Sequence, residues 1–313
     1  MKVKNVVLLL LALGLLTGCG QAATAGHDSS GAPVAEAQPT YPAAEVMDAA
    51  APGPSDEDVV RVYLPVEPRT LQVSPDLAVT VWPYAGQVPG PVIRVKEGAT
   101  VEVTVENKDT ITHSIDFHAA RVAPNVAFGP VAPGEKKTIR FEAKDPGVYM
   151  YHCGTAPMTM HIAMGMYGMI IVDPAEGRSP ATEFALVQSE FYPDMDMAAM
   201  MKGDAAAVVF NGVANQYVDR PLKVKVGEPV RLYVVNAGPN HFSAFHVVGT
   251  IFDRVEPDGQ PRNVQYGVST YTLAPGGAAV FETHFDEPGR YPFLTHSMAD
   301  GENGALGIIE VTP

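Results

Sequence analysis

The chain has 313 residues and a formal net charge of −14, from 21 Lys and Arg against 35 Asp and Glu. This length corresponds to roughly two domains of 100 to 200 residues, so a small disulfide-dependent scaffold is excluded. Gly and Pro number 29 and 28, and hydrophobic residues make up 46%, a balance typical of a turn-rich β protein and not of a disordered chain. The acidic balance excludes the broad basic surface that nucleic acid requires, so no nucleic-acid partner is expected.

The N-terminus has the layout of an exported lipoprotein. Lys2 and Lys4 precede an apolar run over 6–16 that is too short to be a good membrane span, and small residues then lead to Cys19. This order resembles the bacterial lipobox, which predicts a signal peptide over 1–18 and a lipid on Cys19. The protein is therefore expected at a bacterial membrane, in the periplasm or on the outer face of the cell, and to contact that membrane only through its lipid.

A linker is predicted between this anchor and the folded part. Residues 19–58 are rich in Ala, Pro, Gly and Ser and contain acidic residues but no Lys or Arg, a composition that buries too little apolar surface to fold. Cys153 is then the single thiol of the folded part. It cannot form an intrachain disulfide, so metal binding or reactivity is indicated.

From residue 59 onward, short runs of alternating polar and apolar residues are separated by turn residues. Residues 92–108 and 136–153 are the clearest examples, rich in β-branched residues and bounded by Gly and Pro. Alternation with a period of two predicts β-strands, here antiparallel ones. The runs fall into two blocks, 59–173 and 180–313.

The two blocks resemble each other. Each has two histidines separated by four residues, then an Ala-Pro-Gly turn, then a strand that ends in a histidine; these are His113, His118 and His152, and His241, His246 and His296. A duplicated β-sandwich is therefore predicted. Between the copies, 194–206 is rich in methionine and does not alternate, which favours a short packed helix over a copper-binding tract.

The segment 151–166 contains the densest group of potential metal ligands. Cys153 is followed by His161 and then by Met166. A thiolate, an imidazole and a thioether, with a second imidazole from elsewhere, form the ligand set of a blue-copper site. Spacing favours Met166 as the weak axial ligand and leaves Met164 and Met169 as alternatives.

An upstream segment, 112–118, supplies the other imidazoles and a carboxylate. In an extended chain, residues of equal parity share a face, so Asp116 and His118 point to one side and His113 to the other. The same rule separates His152 from Cys153. His113 is therefore paired with Cys153 at one metal, and a second metal is expected between His118 and His152.

These motifs resemble those of the copper-containing nitrite reductases, and among them the lipid-anchored type with a shortened ligand loop. The resemblance covers about residues 59–313 and includes THSIDFHAA, YHC, HIAMGMYG, FNG, AGPN, AFHVVG, FDRV and ALG. It implies an all-β fold of two tandem cupredoxin-like Greek-key β-sandwich domains. The first would span 59–173 and the second 180–313.

The resemblance also implies two coppers per subunit and a homotrimer. The residues matching the type 1 copper ligands are His113, Cys153, His161 and Met166. The residues matching the type 2 ligands are His118, His152 and His296, with the last contributed across a subunit interface. Asp116 and His246 match the pair that handles protons.

The implied activity is the one-electron reduction of nitrite to nitric oxide and water, with the electron passing from type 1 to type 2 copper. A cytochrome c or a small cupredoxin would be the electron donor. Val248 matches an aliphatic residue that shapes the nitrite pocket, although ordinary core packing explains it equally well.

The chain departs from the family pattern at several positions. Ser297 follows His296 where Cys153 follows His152, so the second block cannot hold another blue-copper site. Met160 stands next to His161 where many relatives have Trp. His241 stands where relatives usually have an aliphatic residue. It is expected to be exposed or to support the site indirectly, and contact with the rim of the pocket is the less favoured alternative. His284 is expected to face solvent.

Two other functions compete with this interpretation. A two-domain multicopper oxidase needs about eight histidines in His-x-His pairs, and the sequence contains none of these pairs among its nine histidines. A non-catalytic copper-binding electron carrier would have no use for Asp116, His246 and His296.

Overall fold

The structure, a computed structural model, describes residues 47–313, without the side chains of Val126 and Asp194. These residues contain nineteen β-strands and five short helices. The strands are β1 Val59–Val66, β2 Arg69–Ser74, β3 Leu77–Val81, β4 Ile93–Lys96, β5 Thr100–Asn107, β6 Asp116–Phe117, β7 Lys136–Glu142, β8 Gly147–His152, β9 Tyr167–Asp173, β10 Thr182–Phe191, β11 Ala207–Phe210, β12 Leu222–Lys225, β13 Val230–Gly238, β14 Ser243–Val247, β15 Arg254–Pro257, β16 Thr270–Leu273, β17 Ala278–Thr283, β18 Gly289–Thr295 and β19 Leu306–Thr312. The helices are α1 Pro124–Ala127, α2 Met158–Ala163, α3 Met197–Lys202, α4 Gln216–Asp219 and α5 Met298–Glu302, with a 3-10 turn at Pro193–Met195. The predicted signal peptide, Cys19 and most of the predicted linker lie outside the described residues.

The first sandwich is built from strands β1 to β9. One sheet has the order β1-β5-β7, the other has β4-β9-β8-β6, and β2 pairs with β3. In β5 the alternation of the sequence becomes alternate burial, so that Val101, Val103 and Val105 point into the core between the sheets. The segment that carries the predicted ligands lies at one end of this core.

The second sandwich repeats the arrangement with strands β10 to β19. Its sheets have the orders β11-β10-β13-β17-β15 and β12-β19-β18-β14-β16. All nine residues of β13 and all seven of β9 are buried, because the sheets that contain them pack against each other and form a third core between the two sandwiches. The predicted all-β fold of two tandem β-sandwiches is confirmed.

The prediction of antiparallel strands is only partly correct. β1 pairs with β5, β4 with β9, β10 with β13 and β12 with β19 in parallel. Alternation reports which face of a strand is buried and contains no information on the direction of its neighbour. In each of these pairs a strand from later in the chain lies beside an earlier strand of the same sandwich. The Greek-key path of the chain brings the later strand back in the same direction, which makes the pair parallel.

The methionine-rich segment forms the short helix that was predicted. Asp196 caps α3 by accepting hydrogen bonds from the N–H groups of Ala198 and Ala199, and Gly203 ends it with a φ of +71°. Met200 is fully buried in the first core. Helix α3 also contacts α2, the helix that carries His161.

A buried charge network joins the two sandwiches. Arg94 of β4 donates to Asp173 of β9 at 2.7 Å and to Glu183 of β10 at 2.6 Å. Glu183 also accepts from Arg231 and from the Tyr233 hydroxyl of β13. Because each of these ionised side chains has opposite charges as hydrogen-bond partners, burying the network is tolerated. Along residues 47–313 we find no helical stretch with the length and apolar character of a membrane span.

Candidate metal centres

Three residues far apart in sequence meet at the end of the first core. His113, Cys153 and His161 have ligand atoms within 4.8 Å of one another, and all three side chains are buried. Cys153 directly follows β8, His161 lies in α2, and His113 precedes β6 and pairs with Val131 across an isolated bridge. We call this group the sulfur cluster.

The surroundings of the sulfur cluster stabilise a thiolate. The Cys153 Sγ lies 3.2 Å from Nδ1 of His161 and accepts from the N–H of Ser114 at 3.4 Å. Burial raises the pKa of Cys153, but hydrogen bonds from His161 and Thr155 and the His161 charge outweigh it, so this pKa lies below its ordinary value. A thiolate is the form that binds metal.

His113 presents a buried ring nitrogen with no hydrogen-bond partner. Its Nε2 lies 2.9 Å from Oδ2 of Asp109, whereas its Nδ1 is buried and unpaired. Burial lowers the pKa of His113, and the opposing influence of Asp109 is smaller, so the ring is neutral at pH 7. A neutral imidazole with one nitrogen held by a carboxylate and the other left free is the usual form of a metal-ligating histidine.

Two of the three candidate methionines lie in the same core as the sulfur cluster. Met164 and Met166 pack with Cys153, whereas Met169 belongs to the core between the sandwiches. The Cys153 N–H donates to the Met166 carbonyl at 3.1 Å. The packing therefore argues against Met169 and leaves Met166 with Met164 as its alternative.

A second group lies on the opposite side of β8. Asp116, His118 and His152 have ligand atoms within 4.8 Å of one another, because Asp116 pairs with His152 across β6 and β8. Nε2 of His118 and Nε2 of His152 are 3.1 Å apart. We call this group the histidine cluster.

The two imidazoles of the histidine cluster are arranged to share a cation. His152 donates from Nδ1 to the Cys153 carbonyl at 2.9 Å, which leaves its Nε2 as an acceptor. The pKa of His118 is lowered, first because the surrounding protein removes water from its ring and then because His152 lies beside it. His118 is exposed, as a site that takes up a ligand requires.

The remaining predicted site residues lie on the second sandwich. His246 in β14 and His296 after β18 have ring centroids 5.6 Å apart. His246 donates from Nδ1 to the Ser269 carbonyl at 2.6 Å, and His296 is exposed. Within residues 47–313, the groups of side chains able to hold a metal do not include His296. Val248 is 42% exposed, so the core-packing interpretation of this residue is wrong.

The structure also places the histidines that have no predicted ligand role. His284 is half exposed and pairs with Asp253, as expected for a solvent-facing residue. His241 is partly buried and contacts Asp300 at 2.8 Å, which fits the expected supporting position and not the exposed one.

Sequence reasoning missed two residues of the sulfur cluster's surroundings. Asp109 orients His113 and lies only four residues before it, a spacing that could have suggested the contact. Trp82, the one tryptophan of the chain, packs its ring 5.4 Å from His113 and 5.1 Å from His161. No sequence signal links Trp82 to these histidines, because the end of β3 and the segment 151–166 meet only in the folded chain.

Comparisons with known proteins find both multicopper oxidases and copper-containing nitrite reductases. Family models described as multicopper oxidase match residues 66–177 and 182–309. A copper-containing nitrite reductase of Neisseria gonorrhoeae is 41% identical over 270 residues, covering 80% of this chain and 68% of that protein.

Solved structures give the same result. A copper nitrite reductase from Nitrosomonas europaea superposes with a TM-score of 0.77 at 40% identity, covering 81% of this chain and 94% of the other. A solved multicopper oxidase has a TM-score of 0.76 at 28% identity, covering 85% and 94%.

Proposed function

The chain belongs to the family of copper-containing nitrite reductases and is a two-domain cupredoxin oxidoreductase, and on this premise we propose that it reduces nitrite to nitric oxide and water at two copper sites per subunit. The observation that carries the proposal is the pair of clusters on opposite sides of β8, joined by the consecutive residues His152 and Cys153.

The donor sets fit the metal. The sulfur cluster has a buried thiol with a lowered pKa, a free His113 Nδ1 and a thioether from Met166, a donor set that suits a type 1 copper. The histidine cluster offers His118 and His152 to a type 2 copper, with an open side for nitrite. Bound there, copper supplies one-electron transfer at the first site and a Lewis acid at the second.

The chain's own residues account for the other requirements of the reaction. Consecutive residues His152 and Cys153 provide a covalent route one peptide long for the electron. The reduction of one nitrite to nitric oxide and water consumes one electron and two protons. Asp116 lies within the histidine cluster, where its carboxyl can hold and deliver a proton.

A homotrimer would complete the second site. His246 and His296 are neighbours on the second sandwich, and His296 is exposed. In the proposed assembly, His296 of the partner subunit is the third type 2 ligand and the partner subunit's His246 faces Asp116. Val248, exposed two residues after His246, then borders the nitrite pocket.

The electron donor and the location are proposed from the sequence. A cytochrome c or a small cupredoxin would dock near the sulfur cluster, and a lipid on Cys19 would hold the exported protein at its membrane. Replacing Cys19 with Ser should release the protein from the membrane fraction, and unchanged membrane retention would contradict the anchor.

One assay tests the activity. Copper-loaded protein is given nitrite and a chemical reductant, and nitric oxide and metal content are measured together. We expect nitric oxide with two coppers per chain. No nitric oxide with one copper per chain would overturn the proposal. Reductant-dependent oxygen consumption without nitric oxide would instead favour the oxidase.

A further inference from the structure

His241 of the second sandwich occupies the place that His113 occupies in the first. Both residues stand five positions before the second histidine of their block, and each precedes the corresponding strand, β6 or β14, which pairs with β8 or β18. Ser297 stands where the first sandwich has Cys153. The contacts around His241 therefore differ from those around His113.

Both ring nitrogens of His241 face hydrogen-bond acceptors. Nδ1 lies 2.8 Å from Oδ1 of Asp300, and Nε2 lies 2.6 Å from the Gly203 carbonyl. A neutral imidazole has a single N–H and can donate to only one of them. Asp300 is itself held in place by the hydroxyl of Ser297 at 2.8 Å. This geometry therefore favours an imidazolium, which can donate to both acceptors.

The charged groups around the ring favour the same form. Asp300 faces it from α5, and fully buried Glu190 faces it from β10 while accepting the backbone N–H of His241 at 2.5 Å. Tyr192 donates its hydroxyl to Glu190, and α3 contributes the Gly203 carbonyl. Burial lowers the pKa of His241, but the Gly203 bond and the charges of Glu190 and Asp300 outweigh it and leave this pKa raised.

The two acceptors lie at helices that are close, in the fold or in the sequence, to two predicted ligands, His161 and His296. Gly203 ends α3, which contacts α2 and thereby the segment that carries His161. Asp300 lies in α5, which begins two residues after His296. We propose that His241 is a positioning residue, whose imidazolium ties the end of α3 to α5 and fixes the segment that follows His296.

This link should depend on pH. A histidine whose pKa is raised by folding contributes stability that is fully present below its unfolded pKa of about 6.5. That contribution is lost as pH rises through the folded pKa. The cross-link itself is independent of the proposed function, and its effect on copper rests on that function.

Thermal unfolding of the copper-loaded protein tests the link. His241→Gln should lower Tm by about 3 °C or more near pH 5.5, and the difference should shrink toward zero near pH 8.5. His284→Gln is the matched control, because His284 also pairs with two carboxylates, those of Asp253 and Asp286, but is half exposed. This control should shift Tm by less than about 1 °C. A His241→Gln difference that is constant with pH, or absent, would overturn the proposal.

A second measurement keeps the two proposals separable. In the reduced protein, where Cu(I) is diamagnetic, an NMR titration of the imidazole nitrogens should show that His241 has a pKa above the ordinary value of about 6.5; a pKa at or below that value would refute the link. Type 2 copper should also fall in His241→Gln while the type 1 colour stays. If the unmodified protein binds no type 2 copper, the proposed function fails, and the NMR and melting results still decide the role of His241.

Discussion

Replacing Asp109 with Ala should loosen copper at the sulfur cluster without touching a ligand. Asp109 lies 2.9 Å from Nε2 of His113, whose side chain is fully buried. Its removal frees the ring to turn and takes away the acceptor that selects Nδ1 as the free nitrogen. We expect the copper affinity of this site to fall about 10- to 100-fold, as for other carboxylates that orient a ligating histidine.

The magnitude follows from the burial of this pair. An Nε2–H of His113 left without an acceptor in the core costs about 1–3 kcal/mol, and about 1.4 kcal/mol corresponds to a tenfold change in affinity. Protonation cannot explain the loss. Burial already lowers the pKa of His113, and Asp109 works against it, so removing Asp109 favours the neutral form that binds metal.

The assay is a chelator titration at fixed pH, followed through the visible thiolate-to-copper absorption. Asp253→Ala is the matched control, because Asp253 lies 2.8 Å from Nδ1 of His284 in an exposed pair. It should leave copper affinity unchanged. Asp109→Asn keeps an oxygen acceptor and should lose less affinity than Asp109→Ala. A loss below about twofold for Asp109→Ala, or an equal loss in the control, would refute the reasoning.

The other predictions concern the ligands and the interface between the sandwiches. Cys153→Ala should abolish the visible thiolate-to-copper absorption and leave type 2 copper in the EPR spectrum; retained colour would contradict the assignment. His296→Ala should lose type 2 copper and keep the colour, and unchanged loading would count against the trimeric site. Met166→Leu should alter the type 1 spectrum and potential, whereas Met164→Leu should change them little; the reverse result would exchange their roles. Arg94→Met should lower the free energy of unfolding in urea by about 3–5 kcal/mol, because it removes both hydrogen bonds that the buried Asp173 carboxylate accepts from Arg94; a loss under about 1 kcal/mol would show that the network is dispensable.

The sequence contains enough to divide the candidate ligands between two sites. Side chains alternate across a strand whatever the strand pairs with, so His152 and Cys153 must point to opposite sides. The same rule separates His113 from His118. The structure places each of the four on the side that parity predicts. These are local properties, and local geometry does not depend on the rest of the fold.

Other features of the sites have no counterpart in the local pattern. Met169 packs in the core between the two sandwiches, and this core exists only because β9 is buried on both of its faces. Trp82 reaches the imidazoles through contacts between distant segments. The parallel pairs of edge strands likewise follow from the Greek-key path of the chain.

The sequence by itself therefore determined which candidate ligands share a face and that the β-sandwich is duplicated. The tertiary structure decided what surrounds those side chains. His241 and Asp300 are 59 positions apart, and no periodicity relates them. Their contact exists because the fold brings Asp300 of α5 to the segment between β13 and β14, where His241 also meets the carbonyl at the end of α3.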